Sequence, residues 1–187
     1  MKKILLLTIF MTSLFADAKV YIGANYGIYD EVFISGTDKK ALTNTVKAKI
    51  GYGIRDSYAF EFSLEYTKNK ENIFSDAGSN DGDKLGLNVE LLKAFDWDIF
   101  VIPFFKGGFG VGSLEIEKQN IDKLKFGSFN LGVGSFIPIS EYFDIEIGYE
   151  YKYLSYENFD AITSSENRGS VFKSHANVGY IGFNVRF

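Results

Sequence analysis

From Val20 onward the chain alternates apolar and polar side chains with a period of two. The run Tyr58–Thr67 is the clearest case. Tyr58, Phe60, Phe62, Leu64 and Tyr66 share one parity, and Ala59, Glu61, Ser63, Glu65 and Thr67 share the other. Wound as a helix, this run would spread aromatics and glutamates around its whole circumference. Extended as a strand, it sends them to opposite faces. The same sorting recurs in Val20–Ile28, Val46–Ile54, Leu85–Leu91, Val101–Val111, Phe129–Val133, Phe143–Tyr153 and Ile181–Phe187, which predicts eight strands. Upstream of Gly179 the parity of the last strand changes, because Ala176 and Val178 fall out of phase with Ile181 and Phe183. A β-bulge near Gly179 is the expected remedy.

The segments between strands alternate in length. Arg55–Ser57, Phe95–Asp98 and Pro138–Glu141 are tight, whereas Tyr29–Ala41, Asn69–Asp83, Ser113–Lys125 and Ser155–Ser170 are long and polar. An even number of antiparallel strands with short turns at one end and long loops at the other is the layout of an up-and-down transmembrane barrel. In that layout the short turns are periplasmic and the long loops external. Closure also removes unpaired sheet edges, which lipid does not tolerate.

A water-soluble β-sandwich would alternate in the same way, so the character of each face decides. The apolar parity carries tyrosine and phenylalanine near strand ends, as at Tyr52, Tyr58, Tyr66, Tyr149–Tyr153 and Phe187, in the manner of an aromatic girdle. The other parity is rich in glycine: Gly23, Gly27, Gly51, Gly53, Gly86, Gly108, Gly110, Gly132, Gly134 and Gly148. Small residues suit the cramped interior of an eight-strand barrel and have no use on a wet surface. With the glycines stand charges of both signs: Lys47, Lys49, Lys106 and Lys152 against Glu61, Glu65, Glu90, Glu146 and Glu150. A hairpin turning at Asp56 sets Lys47 opposite Glu65 and Lys49 diagonal to Glu61 and Glu65. These nine residues are expected to form a desolvated network that fills the lumen.

Residues 1–18 read as a signal peptide. Lys2 and Lys3 precede an apolar run from Ile4 to Phe15, and Ala16-Asp17-Ala18 supplies small residues at alternate positions for cleavage before Lys19. The run is shorter than the roughly 20 residues a spanning helix needs. The barrel domain is then residues 19–187 with a net charge of −5, since the removed piece carries two lysines and one aspartate. This mild acidity without a Lys/Arg cluster excludes a nucleic-acid binder. The absence of cysteine excludes a disulfide framework and thiolate metal sites.

Four stretches resemble the small outer-membrane barrels, namely the transmembrane domain of OmpA, OmpX and Ail, and the opacity-protein and NspA group. Ile102-Pro103-Phe104-Phe105-Lys106-Gly107-Gly108-Phe109-Gly110 resembles their fifth-strand PY-x-G-x-G-x-G pattern. Ile147-Gly148-Tyr149-Glu150-Tyr151 resembles their seventh-strand GY-x-Y motif, and the signal peptide is similar to theirs. The ending Phe183, Val185, Phe187 resembles the terminal signal read by the barrel-assembly machinery, although many members carry Tyr where Val185 stands. The resemblance implies an eight-stranded antiparallel barrel in the bacterial outer membrane. Lipid and lipopolysaccharide would surround it, and envelope or adhesive roles are common in such families.

Candidate chemistry is sparse. His175 is the single histidine; Ser174 beside it faces the other way in a strand, and no His-x-Ser spacing exists. Gly107–Gly112 lacks the Lys-Ser/Thr ending and following helix of a phosphate loop. Asp76–Asp83 looks calcium-like, yet its register puts Ala77 where a carboxylate is required. Apolar residues inside the long loops (Val32, Phe33, Ile34, Ile73, Phe74, Ile116, Ile121, Phe159, Ile162) either touch a host surface or lipopolysaccharide, or extend the strands into hairpins above the membrane. The expectation is a monomeric, non-enzymatic barrel with a plugged lumen and no cofactor, serving envelope structure or surface interaction. A narrow porin and a lipid A-modifying enzyme are the alternatives.

Overall fold

The computed structural model describes residues 18–34, 39–69, 81–118, 121–157 and 173–187. Eight strands follow in chain order: β1 Lys19–Ile34, β2 Lys39–Gly53, β3 Tyr58–Lys68, β4 Asp83–Ala94, β5 Ile102–Lys118, β6 Ile121–Pro138, β7 Phe143–Tyr156 and β8 Lys173–Arg186. Each pairs with its sequence neighbours in antiparallel register, and β8 pairs with β1 to close the barrel. No helix among the described residues is long and apolar enough to cross a membrane.

Register follows from the short turns. Ile54 N–H donates to Tyr58 O (2.8 Å) and Ser57 N–H to Ile54 O (3.1 Å), which fixes Gly53 opposite Ala59 and hence Lys47 opposite Glu65. At the β6–β7 turn Ser140 Oγ accepts from Tyr142 N–H (3.2 Å) and Phe143 N–H (3.1 Å). The β4–β5 turn is longer than the sequence indicates, because β5 begins only at Ile102. Asp98 there takes a left-handed φ of 55°, and its N–H donates to Asp96 Oδ1 at 2.9 Å. An aspartate tolerates that backbone better than most residues.

At the opposite end the strands outrun the apolar belt. β1 and β2 stay paired as far as Phe33 opposite Lys39, and β5 and β6 as far as Lys118 opposite Ile121, with a register shift between Glu115 and Lys118. Two segments read as long loops are therefore largely extended hairpins. The signal-peptide core, the Asp76–Asn80 part of the calcium-like run, and Ile73, Phe74, Phe159 and Ile162 lie outside the described residues.

The outer face is apolar from β1 round to β8: Ile22, Ile50, Phe62, Val89, Phe109, Ile147 and Ile181 are all exposed. The inner face is closed, and along β3 the alternation is strict from end to end.

Strand β8 corrects the expectation of a bulge. Its pairing with β1 and with β7 runs without a shift through Gly179, opposite Ile28 and Tyr149. Ala176, Val178 and Tyr180 all point inward and are buried. The parity of the strand never changes; the interior does. Toward the long-loop end the lumen becomes apolar, so inward positions take Ala and Val where glycine or charge stands lower down. There Tyr29, Phe33, Leu114, Leu124, Leu154 and Tyr156 pack with Ala176 and Val178. A second apolar layer of Tyr21, Leu92, Phe104 and Phe136 closes the short-turn end.

Candidate functional site

Between the two apolar layers lies a charged one. β2 contributes Lys47 and Lys49, β3 Glu61 and Glu65, β4 Glu90, β5 Lys106, and β7 Glu146, Glu150 and Lys152. Every one points inward and none is more than 6% exposed. Lys47 Nζ is 2.9 Å from Glu150 Oε2, 3.4 Å from Glu65 and 3.7 Å from Glu90. Lys106 Nζ approaches Glu150 at 2.9 Å and Glu90 at 3.5 Å. Lys152 pairs with Glu65 and, at 3.1 Å, with Glu150. A second group is Lys49, which pairs with Glu61 at 3.0 Å and with Glu146. Lys49 therefore meets only one of the two glutamates diagonal to it, and Lys47 and Lys152 meet the other.

Five carboxylates thus face four ammonium groups, with Glu61 directly opposite Glu90 across β3 and β4. Like charges so placed repel. Neutral donors compensate part of the excess. Tyr21 Oη donates to Glu61 (2.6 Å), Tyr180 Oη to Glu146 (3.0 Å) and Asn184 Nδ2 to Glu146 (2.9 Å). An ion network of this kind is no stronger than a well-packed apolar core, but removing one partner strands a charge away from water. Its glycines leave room for it. A Cβ on Gly132 would stand 2.9 Å from Lys106 Cε, and one on Gly23 would stand 2.3 Å from Asn184 Oδ1.

Sequence reasoning missed five charged groups that extend the network to both ends. At the long-loop end Lys84 pairs with Glu31, which also accepts from Tyr156 Oη at 2.7 Å. At the short-turn end Asp144 lies 2.6 Å from Arg186 Nε and 3.1 Å from Arg55 Nε. Arg55 also donates through Nη2 to the carbonyls of Ser140 and Glu141, both at 2.8 Å, tying the β2–β3 turn to the β6–β7 turn across the mouth. Parity would have found Glu31 and Lys84, since each continues the inward set of its strand. Both were read as loop or loop-edge residues.

The void bounded by Tyr29, Glu65, Lys84, Asn88, Phe126 and Lys152 has about 10 Å³, room for one water at most. The Phe104 and Phe136 rings lie 4.6 Å apart beneath the charges, and the Arg186 guanidinium covers the Tyr21 ring at 4.7 Å.

The remaining sequence candidates separate cleanly. Phe183 and Phe187 are exposed on the outer face and Val185 is half-buried there; Phe187 N–H donates to Val20 O at 2.9 Å. His175 faces outward with its ring stacked on Tyr151 at 6.2 Å, while Ser174 points inward to Glu31. Gly107–Gly112 lies within β5. Among the described residues no three His, Cys, Asp or Glu side chains are grouped to hold a metal.

The profile of a family described as "Outer membrane protein beta-barrel domain" matches residues 4–187. Neisserial surface protein A superposes with a TM-score of 0.68 at 16% identity, over 91% of this chain and 99% of that one. The attachment invasion locus protein Ail of Yersinia pestis, solved in complex with the heparin analogue sucrose octasulfate, gives 0.57 at 16% identity over 91% and 99%. The outer membrane enzyme PagL gives 0.52 at 13% identity over 89% and 99%. No curated protein matches the chain.

Proposed function

The chain belongs to the outer membrane protein beta-barrel domain family and resides in the outer membrane, and from that premise we propose that it is a plugged, non-enzymatic barrel whose external end serves surface interaction or adhesion. One observation carries the reading: the lumen is filled by paired charges held between two apolar layers. Residues 1–18 are removed on export, and Phe183, Val185 and Phe187 present alternate side chains to the assembly machinery. The folded unit is a monomer in lipid.

The external end supplies the binding surface. Hairpins β1–β2 and β5–β6 project beyond the apolar belt and carry the outward residues Lys40, Glu115, Glu117, Lys123 and Lys125. Ail binds a sulfated saccharide analogue in the solved complex, and a polar, two-signed rim suits an anionic saccharide or protein ligand here as well. An enzyme shares the fold, so catalysis is argued from the site alone. Its one histidine and the adjoining serine stand on opposite faces of β8, which disfavours a triad.

Three measurements test the reading. Reconstituted into planar bilayers, monomers are expected to show no large, steady conductance; such a conductance would overturn the plug. Cells expressing the protein with residues 158–172 or the β5–β6 hairpin tip deleted should lose surface binding while keeping a folded barrel. Unchanged lipid A mass spectra in a deletion strain and in a His175→Ala strain complete the case against an enzyme.

A further inference from the structure

The outward face of the barrel changes character abruptly on one side. On β8 the outward series Phe183, Ile181, Gly179 gives way to Asn177, His175 and Lys173, and on β1 and β2 apolar residues give way to Asp30 and Lys40. Lys40 lies opposite Val32, Val32 opposite His175, and Lys173 opposite Ile34. Strands about 4.8 Å apart put the Lys40 and His175 backbones about 10 Å from each other, within joint reach of one headgroup. Lys40 and Lys173 are exposed, His175 half-buried against Tyr151, and Val32 and Ile34 add apolar surface between them. Asp30 is the one carboxylate on this outward patch among the described residues. On the far side of the rim the outward groups at the same end are of both signs, Asp83, Glu115 and Glu117 beside Lys68, Lys123 and Lys125, with Asp83 accepting from Tyr66 Oη at 2.7 Å and Glu115 facing Lys123 at 3.9 Å. The charges of the far side are balanced, whereas Lys40, Lys173 and His175 face a single carboxylate, and they sit where the apolar belt meets the outer headgroups.

We propose that Lys40, Lys173 and His175, with Val32 and Ile34, form a binding site for the phosphorylated saccharide headgroup of an outer-leaflet glycolipid. The cations meet the phosphates, the aliphatic side chains meet the first acyl carbons, and Tyr151 holds the His175 ring in place. The lysines attract phosphate as surface charges near a headgroup plane do, and the tyrosines below act as interface anchors. The site depends on membrane placement alone. Its failure would leave the plugged lumen and the loop-borne ligand surface untouched.

The full mature protein is refolded into nanodiscs containing phosphatidylethanolamine with either diphosphorylated lipid A or lipid A stripped of both phosphates. Lipid retained after extraction is counted by native mass spectrometry, and folding is checked by heat-modifiable gel migration. The wild type is expected to retain the phosphorylated form about tenfold more than the stripped form. The Lys40→Gln/Lys173→Gln/His175→Gln protein should fall to the stripped level, and Lys173→Gln alone, which serves if the triple variant does not fold, should fall partway. A Lys68→Gln/Lys123→Gln control, changed on the far side of the rim where charges of both signs are paired, should retain lipid as the wild type does. Equal retention of both lipids, wild-type retention by the triple or single variant, or an equal loss in the control would overturn the site.

Discussion

Lys47 and Glu150 stand 103 residues apart in the chain, on β2 and β7, and meet across the lumen at 2.9–3.0 Å through both carboxylate oxygens. Glu150 also takes Lys106 and Lys152, so it is the anionic centre of the layer as Lys47 is a cationic one. Replacing Lys47 by methionine leaves Glu65, Glu90 and Glu150 sharing the other lysines at buried positions. The expected loss is about 3–5 kcal/mol. In Lys47→Met/Glu150→Gln the buried charge balance is restored, and most of that loss should return. Urea unfolding from lipid vesicles measures the cycle. Strictly additive losses would show that the two groups do not act as a pair.

The outer face is tested by depth. Phe62 lies midway along β3 and is 52% exposed, whereas Tyr58 begins the strand at the short-turn end beside the Lys93 ammonium, 4.2 Å from its ring. A charge at the bilayer midplane costs about 2–4 kcal/mol and near the interface about 0–1. Phe62→Arg should therefore destabilise the barrel far more than Tyr58→Arg in the same vesicles. Equal losses would mean that Phe62 does not face the hydrocarbon centre.

These two faces were legible in the sequence because parity is a local property. The alternation in Tyr58–Thr67 assigns each residue to a face without any knowledge of its neighbours in space, and the turn at Asp56 fixes Lys47 opposite Glu65. What parity cannot supply is the third dimension. Which β7 carboxylate reaches which β2 lysine depends on closure and on how the strands stagger around the tube. The apolar layers were hidden for a related reason. Tyr21, Phe104, Phe136 and Tyr156 sit on the parity that carries glycine and charge, so they looked like exceptions to the pattern rather than like lids. The apparent phase change at Gly179 has the same origin: Ala176 and Val178 are inward residues of an apolar layer, and no chain geometry needs to shift.

Two glycines of similar sequence context should respond oppositely. A Cβ on Gly51 would stand 2.2 Å from Tyr21 Cζ, so alanine there must push the ring away from Glu61, its hydrogen-bond acceptor at 2.6 Å. Overpacking of this kind costs about 1–3 kcal/mol. Gly179 faces outward with nothing within 4 Å of a Cβ. Gly179→Ala should be neutral or stabilise by about 0.4–1 kcal/mol, by reducing the freedom of the unfolded chain. Thermal unfolding in detergent, followed by gel migration, ranks the two against the wild type.

The layered lumen makes a specific statement about conductance. Phe104 and Phe136 close the short-turn end, yet the ion pairs of Lys49 with Glu61 and Glu146 lie directly above them and are themselves almost fully buried. Taking away the two rings in Phe104→Ala/Phe136→Ala removes apolar packing on both sides of one contact. Single changes of this type cost about 3–5 kcal/mol each, so the double variant should unfold at a markedly lower urea concentration. It should nonetheless stay electrically silent in planar bilayers, because an ion entering from the short-turn side meets a tightly bonded layer almost fully shielded from solvent and must displace a bonded lysine to pass. If this variant conducts steadily while still migrating as a folded barrel, the aromatic pair alone blocks the tube. The charged layer would then be a lining rather than a barrier, with Lys47 and Glu150 free to part as ions cross.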